Sequence, residues 1–150
     1  MQMLEIIPMM FEHLDAVYEI ECKTFAIPWT RADFEYELRE NKLAIYFVAK
    51  ADGEVVGYCG MWHVVNEGHI TNIAVAESHQ RQGIGDMLMT ALETEACVRR
   101  MIGLTLEVRL GNHQALRLYN KHQFKIEGLR KNYYADTKED AAIMWKYFPC

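Results

Sequence analysis

Apolar positions recur along this chain with two periods, near two for strands and near 3.6 for helices, and their succession lays out the elements. Leu4 to Pro8 reads as a short strand, and Phe11 to Thr24 as a helix whose inner face carries Leu14, Val17, Tyr18, Ile20 and Glu21. Phe25-Ala26-Ile27-Pro28-Trp29 interrupts that period, and Thr30-Arg31-Ala32-Asp33 has the form of a capping box opening a second helix to about Asn41. Three strands follow: Ala44 to Lys50, Glu54 to Val65 and His69 to Val75. Asp52-Gly53 forms the first turn between them and Asn66-Glu67-Gly68 the second. Asp86 to Arg100 returns to helical spacing through Met87, Leu88, Ala91, Leu92 and Ala96. Gly103 to Val108 is a compact strand, and Asn112 is a good N-cap for a helix running through Ala115, Leu116, Leu118 and Tyr119 to His122. Lys125 to Tyr134 and Ala141 to Tyr147 close the chain as two strands around a polar loop. The order predicts an α+β domain with about seven strands and four helices.

The segment that carries chemistry is Gln80-Arg81-Gln82-Gly83-Ile84-Gly85, between the His69 strand and the long helix. Two glycines one residue apart let the backbone turn sharply and turn N–H groups outward. A helix starting there adds its own unpaired amides and the positive end of its dipole. That combination suits a phosphorylated ligand, a pyrophosphate above all. A P-loop would need Gly-Lys-Ser/Thr, and Gly85 is followed by Asp86-Met87. A dinucleotide fingerprint would need a small residue where Leu88 stands and a βαβ pair around the turn. A glycine turn that merely starts a helix stays open on the turn alone.

At 150 residues the chain is one domain, with 51% hydrophobic and 25% charged residues, the balance of a globular protein. No apolar run is long enough to span a bilayer, and Met1 to Glu5 lacks the basic flank of a secretory signal, so a cytoplasmic protein is expected. Cys22, Cys59, Cys97 and Cys150 show neither zinc spacing nor a disulfide framework and are read as reduced thiols. The formal net charge of −5 argues against a nucleic-acid surface and suits a basic peptide. His63, His69, His79 and His113 have no ligand spacing, so no metal is expected, and Met9, Met10, Met87 and Met89 read as core.

Element order together with Gln80-x-x-Gly83-x-Gly85 resembles the Gcn5-related N-acetyltransferases (GNAT) over nearly the whole chain. The match is strongest to the bacterial ribosomal-protein-alanine N-acetyltransferases, the RimI family. The residues that carry it are Pro28-Trp29, Asn72 to Val75, Gln80 to Gly85, Leu106 to Arg109, Asn112, Ala115, Leu118-Tyr119 and Arg130 to Tyr134. The resemblance implies a GNAT fold, a twisted and mostly antiparallel mixed sheet flanked by helices. It also implies transfer of acetyl from acetyl-CoA to a protein N-terminus by direct attack in a ternary complex.

Such a transfer needs the pyrophosphate anchored, the thioester oxygen stabilised, the amine deprotonated and the thiolate protonated. Arg81, Gln82, Gly83, Ile84, Gly85 and Asp86 suit the first task. By resemblance, the amides of Ile73, Ala74 and Val75 face the pantetheine arm and the acetyl group. Glu107 interrupts an apolar strand, where a carboxylate is costly unless paired or useful. It is the candidate base, its proton affinity raised by partial burial, with a structural pair to Arg109 or Arg130 as the alternative on spacing alone. Tyr119 reads by itself as a core tyrosine, and the resemblance makes it the general acid. Asn112 caps its helix and, by resemblance, also touches the pantetheine arm.

On the acceptor side the resemblance assigns Phe25, Pro28, Trp29, Tyr133 and Tyr134 to the substrate's first residues, with loop packing as the alternative. Glu35, Glu37, Asp136, Glu139 and Asp140 nearby would suit a basic, extended peptide from a ribosomal protein. Two positions depart from the family: Gly111 where Ser is common, and Gln123 where Gly is common. A left-handed Gln123 would cost about 1 kcal/mol. Other N-termini, lysine, a small amine, or coenzyme binding without turnover are the competing functions.

Overall fold

The computed structural model describes residues 2–148. Its seven strands are β1 (Leu4–Pro8), β2 (Ala44–Ala51), β3 (Glu54–Val64), β4 (Glu67–Val75), β5 (Gly103–Arg109), β6 (Lys125–Arg130) and β7 (Ala141–Tyr147). Its helices are α1 (Leu14–Thr24), α2 (Arg31–Arg39), α3 (Ile84–Val98) and α4 (His113–Lys121), and a 3-10 turn at Phe11–His13 precedes α1. The strands form one sheet in the order β1-β2-β3-β4-β5-β7-β6. Every neighbouring pair is antiparallel except β4 with β5.

Each face of the sheet holds its own core. On one, Ile84, Leu88, Met89, Leu92 and Ala96 of α3 pack with Met61, Leu104, Leu106 and Met144. On the other, Leu14, Val17 and Ile20 of α1 and Phe34 of α2 pack with Val48 and Tyr58. β3 lies between them and is buried along six consecutive residues, as expected where both sheet faces are covered. α2 starts as its sequence indicates: the Thr30 side chain accepts from the Asp33 amide, and Asp33 answers to the Thr30 amide at 2.8 Å.

Several expectations change. Tyr18 points outward, 37% exposed, because the α1 stripe narrows to Leu14, Val17, Ile20 and Glu21. Met10 is exposed rather than core. β4 begins at Glu67, since the turn tightens to Val65-Asn66 with Val65 at φ 57°. α3 starts two residues early, at Ile84, and β6 stops at Arg130. Cys22 and Cys59 are free thiols, but Cys97 takes part in a disulfide, against the reading of four reduced thiols. Cys150 lies outside the described residues. Among the described residues no helix is long and apolar enough to cross a membrane, and no side-chain cluster could hold a metal ion.

Candidate active site

The site begins with a bulge. Gly60 pairs with Asn72 and Met61 with Ile70, so Thr71 is an extra residue on β4. A bulge bends its strand and adds twist. β4 accordingly pairs with β5 only from Glu67 to His69, opposite Gly103 to Thr105, and then leaves it. The two strands open into a groove of about 2240 Å³ floored by α3 and α4.

Strand parity decides which β4 amides reach that groove. The Ala76 N–H donates to Val56 O of β3 at 2.7 Å, and successive amides alternate sides. Ala74 therefore turns its amide towards β3, while Ile73 and Val75 turn theirs into the opening. Of the expected trio, Ala74 lines the groove but turns its amide to β3. The Val75 carbonyl, on the same side as its amide, accepts from Gln80 Nε2 at 3.2 Å.

At the glycine turn Arg81 and Gly83 have positive φ, 62° and 80°. Gly83 is the N-cap of α3 and supplies no side-chain cap, and the first intrahelical bond runs from the Met87 N–H to Gly83 O at 3.1 Å. The amides of Ile84, Gly85 and Asp86 consequently lack intrahelical acceptors, at the positive end of a helix and inside the groove. Bare amides at a helix start suit an anion such as a pyrophosphate. Gln82 lies outside the groove lining, and the Ile84 side chain belongs to the core, leaving only its amide. The Asp86 carboxylate accepts from Lys121 Nζ at 3.0 Å and lies 2.9 Å from His122 Nε2, which fastens α4 to α3. Lys121 above all, against some desolvation, holds its carboxyl below the usual range. The Lys121 ammonium also blunts its repulsion of an anion.

Asn112 Oδ1 caps α4 by accepting from the Ala115 N–H at 3.1 Å. The far end of α4 closes in a Schellman turn. The Phe124 N–H donates to Tyr119 O at 3.0 Å and the Gln123 N–H to Asn120 O at 2.9 Å, with Gln123 left-handed at φ 71°. That turn sets Phe124 against Tyr119, their ring centroids 5.9 Å apart. Tyr119 is buried at the groove's wall; desolvation, with a smaller push from Tyr134, raises its hydroxyl above its ordinary value.

Glu107 reaches the same groove from β5, its side chain 33% exposed. Arg130 Nε lies 3.2 Å from its Oε2, and the carboxylate, after desolvation, helps raise the Tyr133 hydroxyl above its ordinary value. The pairing open on spacing is thus with Arg130. Arg109 turns to the β6–β7 loop instead. Its guanidinium meets Asp136 through two bonds of 2.9 and 3.0 Å, contacts Thr137 and Glu139, and lies 4.0 Å from the Tyr134 ring centroid. Gly111 finds its reason here: its amide donates to Glu139 Oε2, and a Cβ would come within 2.6 Å of that oxygen.

Of the residues expected on the acceptor side, Phe25, Trp29, Tyr133 and Tyr134 line the groove, whereas Pro28 does not. The free acidic wall expected for a basic peptide is not there. Asp136 and Glu139 are held by Arg109, Glu35 pairs with Arg31 at 3.1 Å, and Asp140 accepts from the Asn132 amide. Glu37 is buried beneath Tyr46 and Trp62. The residue overlooked is Glu21, 2% exposed beside Trp29. Its signal was a carboxylate on the inner face of an amphipathic helix.

A sequence profile of the acetyltransferase (GNAT) family matches residues 14–124. The chain is 46% identical to a Bacillus subtilis (strain 168) protein described as a candidate ribosomal protein bS18-alanine N-acetyltransferase, over 91% of each chain. It is 36% identical to the ribosomal protein bS18-alanine N-acetyltransferase of Escherichia coli (strain K12), over 87% of this chain and 88% of that one. A crystal structure of the Escherichia coli ribosomal-protein-S18-alanine N-acetyltransferase superposes with a TM-score of 0.88 at 33% identity, covering 97% of this chain and 94% of that one.

Proposed function

The chain belongs to the acetyltransferase (GNAT) family, and from that premise we propose that it acetylates the α-amino group of a protein N-terminus, the alanine that begins a small-subunit ribosomal protein. An N-acetyltransferase of this family takes its acetyl group from acetyl-CoA, which supplies an activated thioester carbonyl. The observation that carries the reading is the divergence of β4 from β5 after His69 and Thr105. It puts two free β4 amides, the uncapped start of α3, Glu107 and Tyr119 around one groove.

The parts divide as follows. The amides of Ile84, Gly85 and Asp86, with Arg81, hold the pyrophosphate. Ile73 and Val75 offer N–H groups along the pantetheine arm, as an open strand edge does to any extended chain, and Asn112 stands beside it. A preorganised amide at the carbonyl oxygen is worth about 3–4 kcal/mol where that has been measured in other enzymes. Glu107 takes the proton of the incoming amine, directly or through water. A free α-amino group, with a pKa near 7.7–8, is already partly neutral at physiological pH. Tyr119 is the acid: burial keeps its hydroxyl protonated, and the same desolvation raises the proton affinity of a departing thiolate. Phe25, Trp29, Tyr133 and Tyr134 receive the first residues of the peptide, and a cytoplasmic location accords with a ribosomal acceptor.

Purified protein with acetyl-CoA and a panel of peptides differing at residue one tests this. Release of free thiol with Ala-starting peptides supports it. Turnover only with lysine side chains or polyamines replaces the acceptor, and coenzyme binding without any turnover replaces the enzyme with a binding module.

A further inference from the structure

α1 carries a charge that its apolar stripe does not explain. Glu21 lies between Leu14, Val17 and Ile20 on the face turned to the sheet, and it forms no ion pair among the described residues. Three neutral donors converge on it instead. The Trp29 N–H reaches Oε2 at 2.9 Å, Asn72 Nδ2 approaches Oε1 at 3.4 Å, and the Tyr58 hydroxyl donates to Oε1. Desolvation, and then Glu21 itself, pushes the Tyr58 hydroxyl well up, so it stays a donor.

Those donors come from three separate pieces of the site. Trp29 belongs to the strap between α1 and α2 that walls the acceptor end. Tyr58 stands on β3. Asn72 stands on β4, next to Ile73, whose amide opens into the groove. The same strap rests on an aromatic column, with Trp29 5.3 Å from Phe34 and Phe34 edge-on to Tyr58 at 5.8 Å. Thr71, the bulged residue, completes the link by donating to Asn72 Oδ1 at 2.6 Å.

We propose that Glu21 is a positioning residue that ties the acceptor strap to the β4 edge, so that a peptide ordered against Trp29 meets an Ile73 amide already in place. The inference rests on the peptide-acetyltransferase reading above. Well-packed apolar residues commonly replace a buried charge without loss of stability, so packing alone does not account for a carboxylate here. An ionised carboxylate is acceptor-only and can satisfy donors from several directions at once, with charge-assisted bonds. A glutamine in its place would turn N–H groups towards one of those donors.

The test is Glu21→Gln beside Tyr58→Phe, which deletes one donor and leaves the Trp29 and Asn72 links. Glu21→Gln is expected to lower kcat/KM for an Ala-starting peptide about 10- to 100-fold, the scale of a misplacement near 1 Å, while the calorimetric Kd for acetyl-CoA stays within about threefold. Tyr58→Phe is expected to keep near-wild-type kinetics. Hydrogen exchange should show the Trp29 amide and the β4 amides loosening together in Glu21→Gln alone. Wild-type kinetics and exchange in a folded Glu21→Gln would overturn the proposal. So would an equal loss in Tyr58→Phe, or a matching loss of acetyl-CoA affinity. If the wild-type chain acetylates no peptide, the acceptor reading falls by itself and the exchange arm still decides the coupling. If Glu21→Gln does not fold, Asn72→Ser cuts only the β4 link; it must then lower kcat with strap exchange unchanged, and an unaltered kcat sinks the idea.

Discussion

The Glu107 carboxylate and the Arg130 guanidinium meet over the intervening strand β7 at 3.2 Å. They join the central strand β5 to the end of the edge strand β6, where the β6–β7 loop begins. The candidate base is therefore held by the end of the strand that leads into Tyr133.

Glu107→Gln should reduce kcat/KM about 100-fold at pH 6, within the range of general-base contributions. The deficit should narrow towards pH 9, where most α-amino groups are already neutral. A pH–rate profile decides between roles: a loss equal at every pH assigns Glu107 to positioning, and an unchanged rate removes it from the scheme.

Tyr119→Phe should lower kcat by about 100-fold while leaving the peptide KM and the melting temperature close to wild type. The phenyl ring keeps its packing on Phe124, and only the proton is lost. Because burial raises the hydroxyl, its ionisation should not limit the wild-type rate below pH 10. A large fall in melting temperature would mean that the hydroxyl serves the fold.

Gly111→Ser, which restores the residue common in the resembling family, should push Glu139 off the Gly111 amide and loosen the loop of Tyr133 and Tyr134. One hydrogen bond is worth about 1 kcal/mol net, or roughly fivefold in peptide KM. Acetyl-CoA affinity should not follow. A peptide KM equal to wild type would show the contact to be idle.

Gln123→Gly should stabilise the chain by about 0.5–1 kcal/mol, by placing at φ 71° the residue that pays no Cβ penalty there. Urea midpoints give the number. A destabilised variant would show that the Gln123 side chain contributes more than its backbone strain removes.

The acid side of the stability curve should carry His13. Its Nδ1 accepts the Met10 N–H at 3.0 Å, and burial, the dominant influence, lowers its pKa from the ordinary 6.5. The unfolded chain then binds the proton first, so this contribution is present above pH 6.5 and drains away as pH falls, by at most about 1.4 kcal/mol per pH unit. Urea midpoints from pH 7.5 to 5.5 should fall in the wild type and flatten in His13→Gln, whose amide oxygen can accept the same N–H. Parallel curves would exclude His13.

Local pattern fixes what depends on neighbours a few residues away. The periods placed every strand and helix, Thr30-x-x-Asp33 opened α2 where it does open, and Gly83 marked the bare start of α3. A left-handed Gln123 is raised only through the Gly common there in the resembling family, and its φ is 71°.

What no local pattern carries is which groups meet across the sheet. The order β5-β7-β6 brings Arg130, and not the nearer Arg109, to Glu107, and Arg109 instead takes up the Asp136 and Glu139 carboxylates that composition left free for a peptide. The parity that turns the Ala74 amide away from the groove follows from pairing with β3, and the opening itself follows from one bulged residue, Thr71. Tyr18 and Tyr119 are both tyrosines on amphipathic helices, yet one is solvent-facing and the other buried. Sequence determined the parts and the ends of this enzyme; the three-dimensional chain path assigned their partners, since charge pairing and amide direction depend on residues tens of positions apart.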